Sequence, residues 1–453
     1  MYADDITLFL NDENDMQHAL NVIHKFSVFS GLEVNKTKSH AMWLGRNKNF
    51  LGFNWKEKLK ILGVYFCNYK CASHIDENWS ECIVKSKRLT LIWEKKSLSV
   101  VGKICIIKTF LISQVVHVMQ ALVVPEKVLI EINRLLFRFL WQRKDCNRRA
   151  FEKVKRSVLC TDVESGGLNM IDLKDMQAAF LLKWVLQVCK ANNPYKWSLT
   201  PRVLFSCFES NFECFHANVN RCKFKGLNLV KSYFWCTVLV NRLDNNLPNC
   251  KDRIITLLRN NEHVSCSGEV LYFKEWAVNG ILFVTDFVTP EGLLSFQEIC
   301  EIVGNSPNRI LEYNAMYSLV STFLRRADDT VATLEQPMFY SKKIRRARDL
   351  RQHLVNRKSL ELCAKGFWNR KYSVDLDKNF WSIAFRATKE TRLCALHWKI
   401  LHNIYPTNKM KVKENNKCTY CTELVDYIEH FFFEGPVVRD FWQHIEQHIL
   451  ILL

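Results

Sequence analysis

Glycine and proline are scarce in this chain. In 453 residues there are 14 Gly and 9 Pro, or 3.1% and 2.0% (14/453 and 9/453), against ordinary usage of about 7% and about 5%. An all-β barrel or sandwich needs a turn residue roughly every ten positions, so that class is excluded. A basic apolar leader is also missing, because Met1 is followed almost at once by Asp4 and Asp5. The longest apolar run, Phe110–Pro125, is interrupted by Gln114, His117 and Gln120 and falls short of the ~20 residues of a membrane span. No internal repeat is visible. The 18 Cys are scattered, many within apolar stretches, without a disulfide-type framework. Buried thiols in a reducing setting are expected: an intracellular protein, nuclear or cytoplasmic, neither secreted nor in a membrane.

What is present is helical and basic. Hydrophobic residues make up 48% and charged residues 24% of the chain, a globular composition. The expected fold class is α+β and predominantly helical. Strand candidates are Ile6–Leu10 and Leu62–Phe66, with a helix over Met16–Phe29 between them. Long helices are expected over Trp79–Trp93, Val101–Val123, Pro125–Trp141 and Met176–Lys190, the last apolar nearly all round and therefore buried. Leu271–Val288 reads as short strands around an Asn279-Gly280 hairpin turn. Asn379–Leu401 reads as one amphipathic helix, and Pro436 opens the last helix at its first position.

Sixty-four Lys and Arg face 46 Asp and Glu, a formal net charge of +18. Half of that excess lies in 31 residues: Ser341–Lys371 holds eleven basic residues and two acids, or +9. Ile344, Ala347, Leu350 and Leu354 recur there at helical spacing, which puts most of the arginines on the opposite, wet face; Lys342, Lys343, Arg345, Arg346, Arg348 and Arg351 are the nucleic-acid-binding candidates. A second basic stretch, Arg134–Arg156, includes Arg138. A charge run is ordinarily a solvated helix face, but one of single sign suits phosphates, because each neutralised phosphate releases counterions.

Two constellations carry chemistry. The first is Met1-Tyr2-Ala3-Asp4-Asp5, followed by Gly31-Leu32-Glu33-Val34-Asn35-Lys36-Thr37-Lys38-Ser39 and then Leu62-Gly63-Val64. The second is Cys418-Thr419-Tyr420-Cys421, then His430, then Phe431-Phe432-Phe433-Glu434-Gly435-Pro436. A C-x2-C pair with a nearby His has the donors that tetrahedral zinc takes. Gly102-Lys103 is not a phosphate-binding P-loop, since Ser97 and Ile104 stand where that motif needs Gly and Ser/Thr. His444 and His448 lie four apart, with Glu446 misplaced for a zinc protease.

In order and spacing the first set resembles successive palm motifs of reverse transcriptases of non-LTR (LINE-type) retrotransposons. The resemblance continues through Ser99-Val100-Val101-Gly102-Lys103, Phe137-Arg138-Phe139-Leu140-Trp141 and Gly166-Gly167-Leu168-Asn169-Met170. The second set resembles the C-terminal zinc knuckle of the same proteins. It covers residues 1–190 and about 375–445. The resemblance implies a truncated palm over 1–70, a helical thumb and following region over 71–193, a connecting region over 194–340, and a basic helix with a zinc-knuckle-like region over 341–453. It further implies Asp4 and Asp5 as magnesium ligands, Lys38 beside the nucleotide phosphates, and Cys418, Cys421 and His430 as zinc ligands. RNA and DNA, as a template–primer duplex, are the implied partners.

Departures from that pattern matter as much. A further metal-binding Asp on a strand before the hairpin, the fingers and the endonuclease are not in this sequence. Gly435 occupies the fourth zinc position. The expectation is therefore a truncated RNA-directed DNA polymerase, inactive alone. A non-catalytic nucleic-acid-binding module and a decayed transposon product remain open at this point.

Overall fold

A computed structural model describes residues 6–44 apart from 36, 54–67, 74–141, 152–188, 199–205, 215, 227, 230, 232–245 and 258. With short interruptions it also describes 265–326, 346–407 and 417–452. Helices dominate, and the sheets are two-stranded. Two compact units emerge: residues 1–171 with 360–453, and residues 172–359.

The first unit begins without a strand. Residues 6–10 have no regular structure, and Ile6, Leu8, Phe9 and Leu10 are exposed. The strand expected there is not formed: no strand among the described residues pairs with it, and a strand exists only through backbone hydrogen bonds to a neighbour. Helix α1 (Glu13–Ser30) starts at Asp12, whose carboxylate accepts the Asp15 N–H at 2.9 Å. It stops at Gly31, left-handed at φ 69°, whose N–H donates to the Ser27 carbonyl. None of its residues is buried.

Short strands β1 (His40–Ala41) and β2 (Asn54–Trp55) pair in parallel. A tight hairpin follows, with β3 (Lys58–Ile61) against β4 (Val64–Cys67). Its two-residue turn, Leu62-Gly63, takes positive φ at both positions, 47° and 84°, the primed geometry that matches strand twist. The expected strand Leu62–Phe66 thus begins as the turn itself.

Helix α2 (His74–Glu94) holds this hairpin through Asn78. The buried Asn78 amide donates to the Tyr65 carbonyl at 2.8 Å and accepts the Tyr65 N–H at 2.9 Å, pairing with β4 as another strand would. Helix α3 (Val100–Ala121) contains a π turn at Ile107–Leu111. By length and composition it could cross a membrane. Its apolar residues Ile104, Ile107, Leu111, Ile112, Val115 and Met119 are buried in the protein. Helix α4 (Glu126–Trp141) buries Leu129, Ile132, Leu136, Phe137 and Leu140 along one side. Its C-terminal carbonyls are met by a half-buried cation: Lys103 Nζ donates to Phe139 O at 2.9 Å and Leu140 O at 3.3 Å, where a helix carries partial negative charge. Burial pulls the Lys103 pKa below its ordinary value.

After α5 (Arg156–Cys160) the chain folds back on itself. Leu168 and Met170 N–H groups both donate to Leu159 O, and Asn169 N–H to Thr161 O. Gly166 is left-handed, φ 82°, and Gly167 lies so close to Thr161 that a Cβ there would sit 2.2 Å from its carbonyl oxygen.

The second unit opens with α6 (Leu173–Val188), buried as expected through Ala179, Leu182 and Val185. After α7 (Leu199–Phe205) comes α8 (Tyr233–Asp244), whose Phe234 and Trp235 meet Trp184 of α6 edge-on. Two small hairpins follow, β5 (Ser265–Cys266) with β6 (Glu269–Val270) and β7 (Val288–Thr289) with β8 (Gly292–Leu293). Asn279-Gly280 is a turn, and among the described residues the nearest flanking elements are helical rather than paired strands. The Ile281 N–H donates to Trp276 O and Gly280 is left-handed, the geometry that closes a helical turn.

Helix α9 (Phe296–Val303) carries a capping box of Ser295 and Glu298. Helix α10 (Arg309–Arg326) begins at a buried arginine flanked by Glu275 and Glu312. Trp276, Phe287, Ile299, Met316 and Val320 form the local core. Helix α11 (Ala347–Asn356) packs Leu350 and Leu354 onto Ala178, Ala179, Leu182 and Leu186 of α6.

The chain then returns to the first unit with α12 (Cys363–Tyr372), α13 (Lys378–Ala387), α14 (Thr391–Leu401) and α15 (Pro436–Leu452). The single helix expected over Asn379–Leu401 is two: Thr388 is extended (φ −144°, ψ 151°) and its hydroxyl accepts the Glu390 N–H. Trp398 Nε1 and His402 Nε2 of this segment both reach Gly166 O, at 2.9 and 2.8 Å. Pro436 stands at the first position of α15, as expected.

Two outcomes follow for stability. Gly167→Ala is expected to destabilise the fold by on the order of 3 kcal/mol, since backbone must move to admit the methyl group; urea unfolding measures it. Burial depresses the His402 pKa from 6.5 to about 4. Between those values the unfolded chain binds a proton that the folded one does not, so stability is full above pH 6.5 and falls as pH drops through the window. The loss is on the order of 1–3 kcal/mol for a half-buried ring, and His402→Gln should flatten the thermal-melt profile between pH 4 and 6.5.

Candidate metal centre and basic surfaces

The Asp4-Asp5 pair lies outside the described residues. Lys38 follows a turn built by Asn35, whose side chain accepts the Lys38 N–H at 3.1 Å and the Thr37 hydroxyl at 2.7 Å. This Asx-type turn fixes the Lys38 backbone. The basic residues of the next hairpin are committed to local pairs, Lys58 with Glu77 and Lys60 with Glu81.

Arg134 and Arg138 lie one turn apart on the exposed side of α4, opposite its buried stripe. With Lys87 of α2 they line a shallow groove floored by Ile83 and Leu135. Glu131 is its acidic member and pairs with Lys87 at 2.9 Å. Lys342, Lys343 and Arg345 lie outside the described residues. Arg346 and Arg348 are exposed at the start of α11.

Arg351 departs from the wet face expected for most of these arginines: only 8% of its surface is accessible. It lies next to Leu350 and three residues before Leu354, within the face that packs on α6, and its charge favours ionisation of Asp175. Asp175 is buried at the start of α6, which pushes its pKa up, and Lys358 Nζ donates to both its carboxylate oxygens at 2.7 Å. Arg351 therefore serves an internal charge balance, which a helical wheel drawn without its neighbours does not show.

Cys418, Cys421 and His430 converge as expected. Their donor atoms all lie within 4.8 Å of one another, with Cys421 Sγ 3.3 Å from His430 Nε2. Cys418 and His430 are buried and Cys421 is half-buried. The Cys pair sits on a turn, and the Tyr420 N–H donates to Cys418 Sγ. A π turn at His430–Glu434 delivers the imidazole. Zinc bonds of about 2.3 Å to sulfur and about 2.0–2.1 Å to nitrogen place tetrahedral donors some 3.3–3.8 Å apart, so three donors fit zinc with small adjustment.

Gly435 faces the same point: a Cβ built on it would lie 3.4 Å from His430 Nε2, but also 2.7 Å from the His430 carbonyl oxygen. Gly435 supplies no donor, and a side chain there would require the backbone at His430 to shift. Glu434 is engaged elsewhere, accepting from the Tyr427 and Tyr372 hydroxyls.

Asn78, Lys103, Trp398 and His402 were not singled out as site or anchoring residues by sequence. Each acts on a partner at least 13 positions away. Lys103 stood within a quoted motif, and that was its one signal.

Comparison with known proteins bears on the N-terminal region. Residues 1–66 match the reverse transcriptase (RNA-dependent DNA polymerase) family. A putative ribonuclease H protein of Arabidopsis thaliana is 29% identical over 107 residues, 24% of this chain and 17% of that protein. The uncharacterized 149 kDa protein of transposon TX1 from Xenopus laevis is 25% identical over 207 residues, 43% of this chain and 15% of that protein. The chain thus matches less than a fifth of the length of either curated relative. It carries a region related to the reverse transcriptases of transposable elements.

Cobalt(II) titration tests the metal centre. One equivalent should give thiolate-to-metal charge-transfer absorption, which Cys421→Ser and Cys418→Ser each reduce to a weak fraction of the wild-type signal.

Proposed function

We propose that this chain belongs to a LINE-type retrotransposon reverse transcriptase and that residues 1–453 work as its nucleic-acid-holding part: palm remnant, thumb and C-terminal region. The match of residues 1–66 to the reverse transcriptase family, opening on Tyr2-Ala3-Asp4-Asp5, carries this reading. The exposed Arg134 and Arg138, one turn apart on α4, support it, as do Arg346 and Arg348. Such contacts position a nucleic acid through its phosphates without reading bases.

In the family reaction, bound magnesium would activate a primer 3′-hydroxyl and stabilise the leaving pyrophosphate. Asp4 and Asp5 are the carboxylates of this chain that would hold it, and Lys38 would face the triphosphate. Two adjacent carboxylates on one segment do not by themselves surround two metal ions. These residues alone are therefore proposed to bind a template–primer without extending it. The Cys418–Cys421–His430 centre would hold zinc as a structural brace for the C-terminal segment, more weakly than a four-ligand knuckle.

Primer extension on poly(rA)/oligo(dT) with Mg²⁺ or Mn²⁺ should give no templated product, and synthesis abolished by Asp4→Ala would overturn the inactive reading. Duplex affinity should fall steeply with salt. Replacing Arg134 and Arg138 together by Glu should weaken it by about tenfold or more and lower the log–log salt slope by about two.

A further inference from the structure

A cleft in the first unit is separate from the α4 groove. It lies between the Ser97–Ser99 segment that precedes α3 and the α14 face carrying Arg392, Ala395, Leu396 and Lys399, and has a volume of about 290 Å³. That is the small end of ligand pockets, which run from about 300 Å³ upward. Ala395 and Leu396 form its floor, and Arg392 and Lys399 stand at its two ends. Seven positions of helix separate these cations, or about 10 Å along α14.

The opposite wall offers hydroxyls. Ser99 caps α3 by accepting the Gly102 N–H at 3.0 Å, which leaves its own proton able to point toward a ligand. Ser97 is exposed beside it. Tyr405 closes one side, its ring held by Phe432 and Phe431 at centroid distances of 4.9 and 5.7 Å. Among the described lining residues none is acidic. Lys103 lies close enough to Lys399 for the two cations to repel, with Glu94 a nearby countercharge to Lys103, and Lys153 Nζ approaches Ile404 O beside Tyr405. Arg392 and Lys399 thus flank an apolar floor with a fixed aromatic ring at its edge.

We infer that this cleft holds a single strand of nucleic acid, with successive phosphates on Arg392 and Lys399 and a base against Tyr405. Cations that follow a backbone, joined to an aromatic platform, are the arrangement by which proteins hold single strands with little sequence preference. A free inorganic anion would use the cations and hydroxyls but would gain nothing from the apolar floor or the ring. The inference rests on the nucleic-acid reading above and adds a second contact surface, for the unpaired strand rather than the duplex.

Fluorescence anisotropy on the full chain tests it, with a 12-nucleotide single-stranded RNA and a blunt duplex as probes. Replacing Arg392 and Lys399 together by Glu should weaken single-strand binding by about tenfold and lower its salt slope by about two, while duplex affinity changes less than twofold. Tyr405→Leu should weaken single-strand binding by about fivefold or more without changing the slope. Circular dichroism melts of each variant confirm that the fold is retained, and Lys399→Gln, which keeps the stem, should give roughly half the slope change.

Unchanged single-strand binding in the Arg392/Lys399 variant, with binding lost in an Arg134/Arg138 variant, would overturn the cleft and leave the general reading standing. Equal losses for both probes would overturn the single-strand assignment. Binding unaffected by either pair would overturn the nucleic-acid reading itself.

Discussion

The carbonyl oxygen of Gly166 is where the first unit is tied together. It accepts from the Trp398 indole and the His402 ring, groups more than 230 positions further along the chain. Only a backbone turned the wrong way for an ordinary residue presents that oxygen, and the left-handed Gly166 does so. Gly167 lets the following segment lie against Thr161, and Trp381 covers the turn and packs its ring on His402. The α14 side of the single-strand cleft, and the segment leading to the metal centre, continue from these contacts. Buried polar groups so shared are costly to disturb, because each partner left behind is an unpaired donor or acceptor.

Charge is handled in two ways in this molecule. Some cations are tied to partners within the protein: Lys103 on the end of α4, Arg309 between two glutamates, and Arg351 and Lys358 around Asp175. Outside, Arg134, Arg138, Arg346, Arg348 and Arg392 remain on exposed faces. Net charge alone counts both groups equally, yet only the second is placed to meet a phosphate. Desolvating a charge is tolerable when an opposite charge or several carbonyls replace water, and that condition separates the two sets.

Much of the helical architecture was legible from periodicity: α1, α2, α4 and α6 fall within a few residues of expectation, and Pro436 starts α15. The errors share a cause. Ile6–Leu10 has strand composition but no partner strand among the described residues. Asn279-Gly280 has hairpin chemistry, but the left-handed residue closes a helical turn instead. The Asn379–Leu401 pattern hides a break because Thr388, Lys389 and Glu390 disturb its period too little to show. The Cys-x2-Cys and His spacing forecast that these three side chains converge, because they are near in sequence.

By itself the sequence determined the helical class, the basic excess, the reverse-transcriptase-like motifs and the members of the Cys–His cluster, since each is a local pattern or a composition. Only the tertiary structure decided that Arg351 is buried and that the Gly435 backbone lies against His430. It also placed Ser97 and Ser99 opposite Arg392, Lys399 and Tyr405. Those relations join positions up to about 300 apart, and no periodicity in a single chain encodes which distant surfaces come to face each other; packing does.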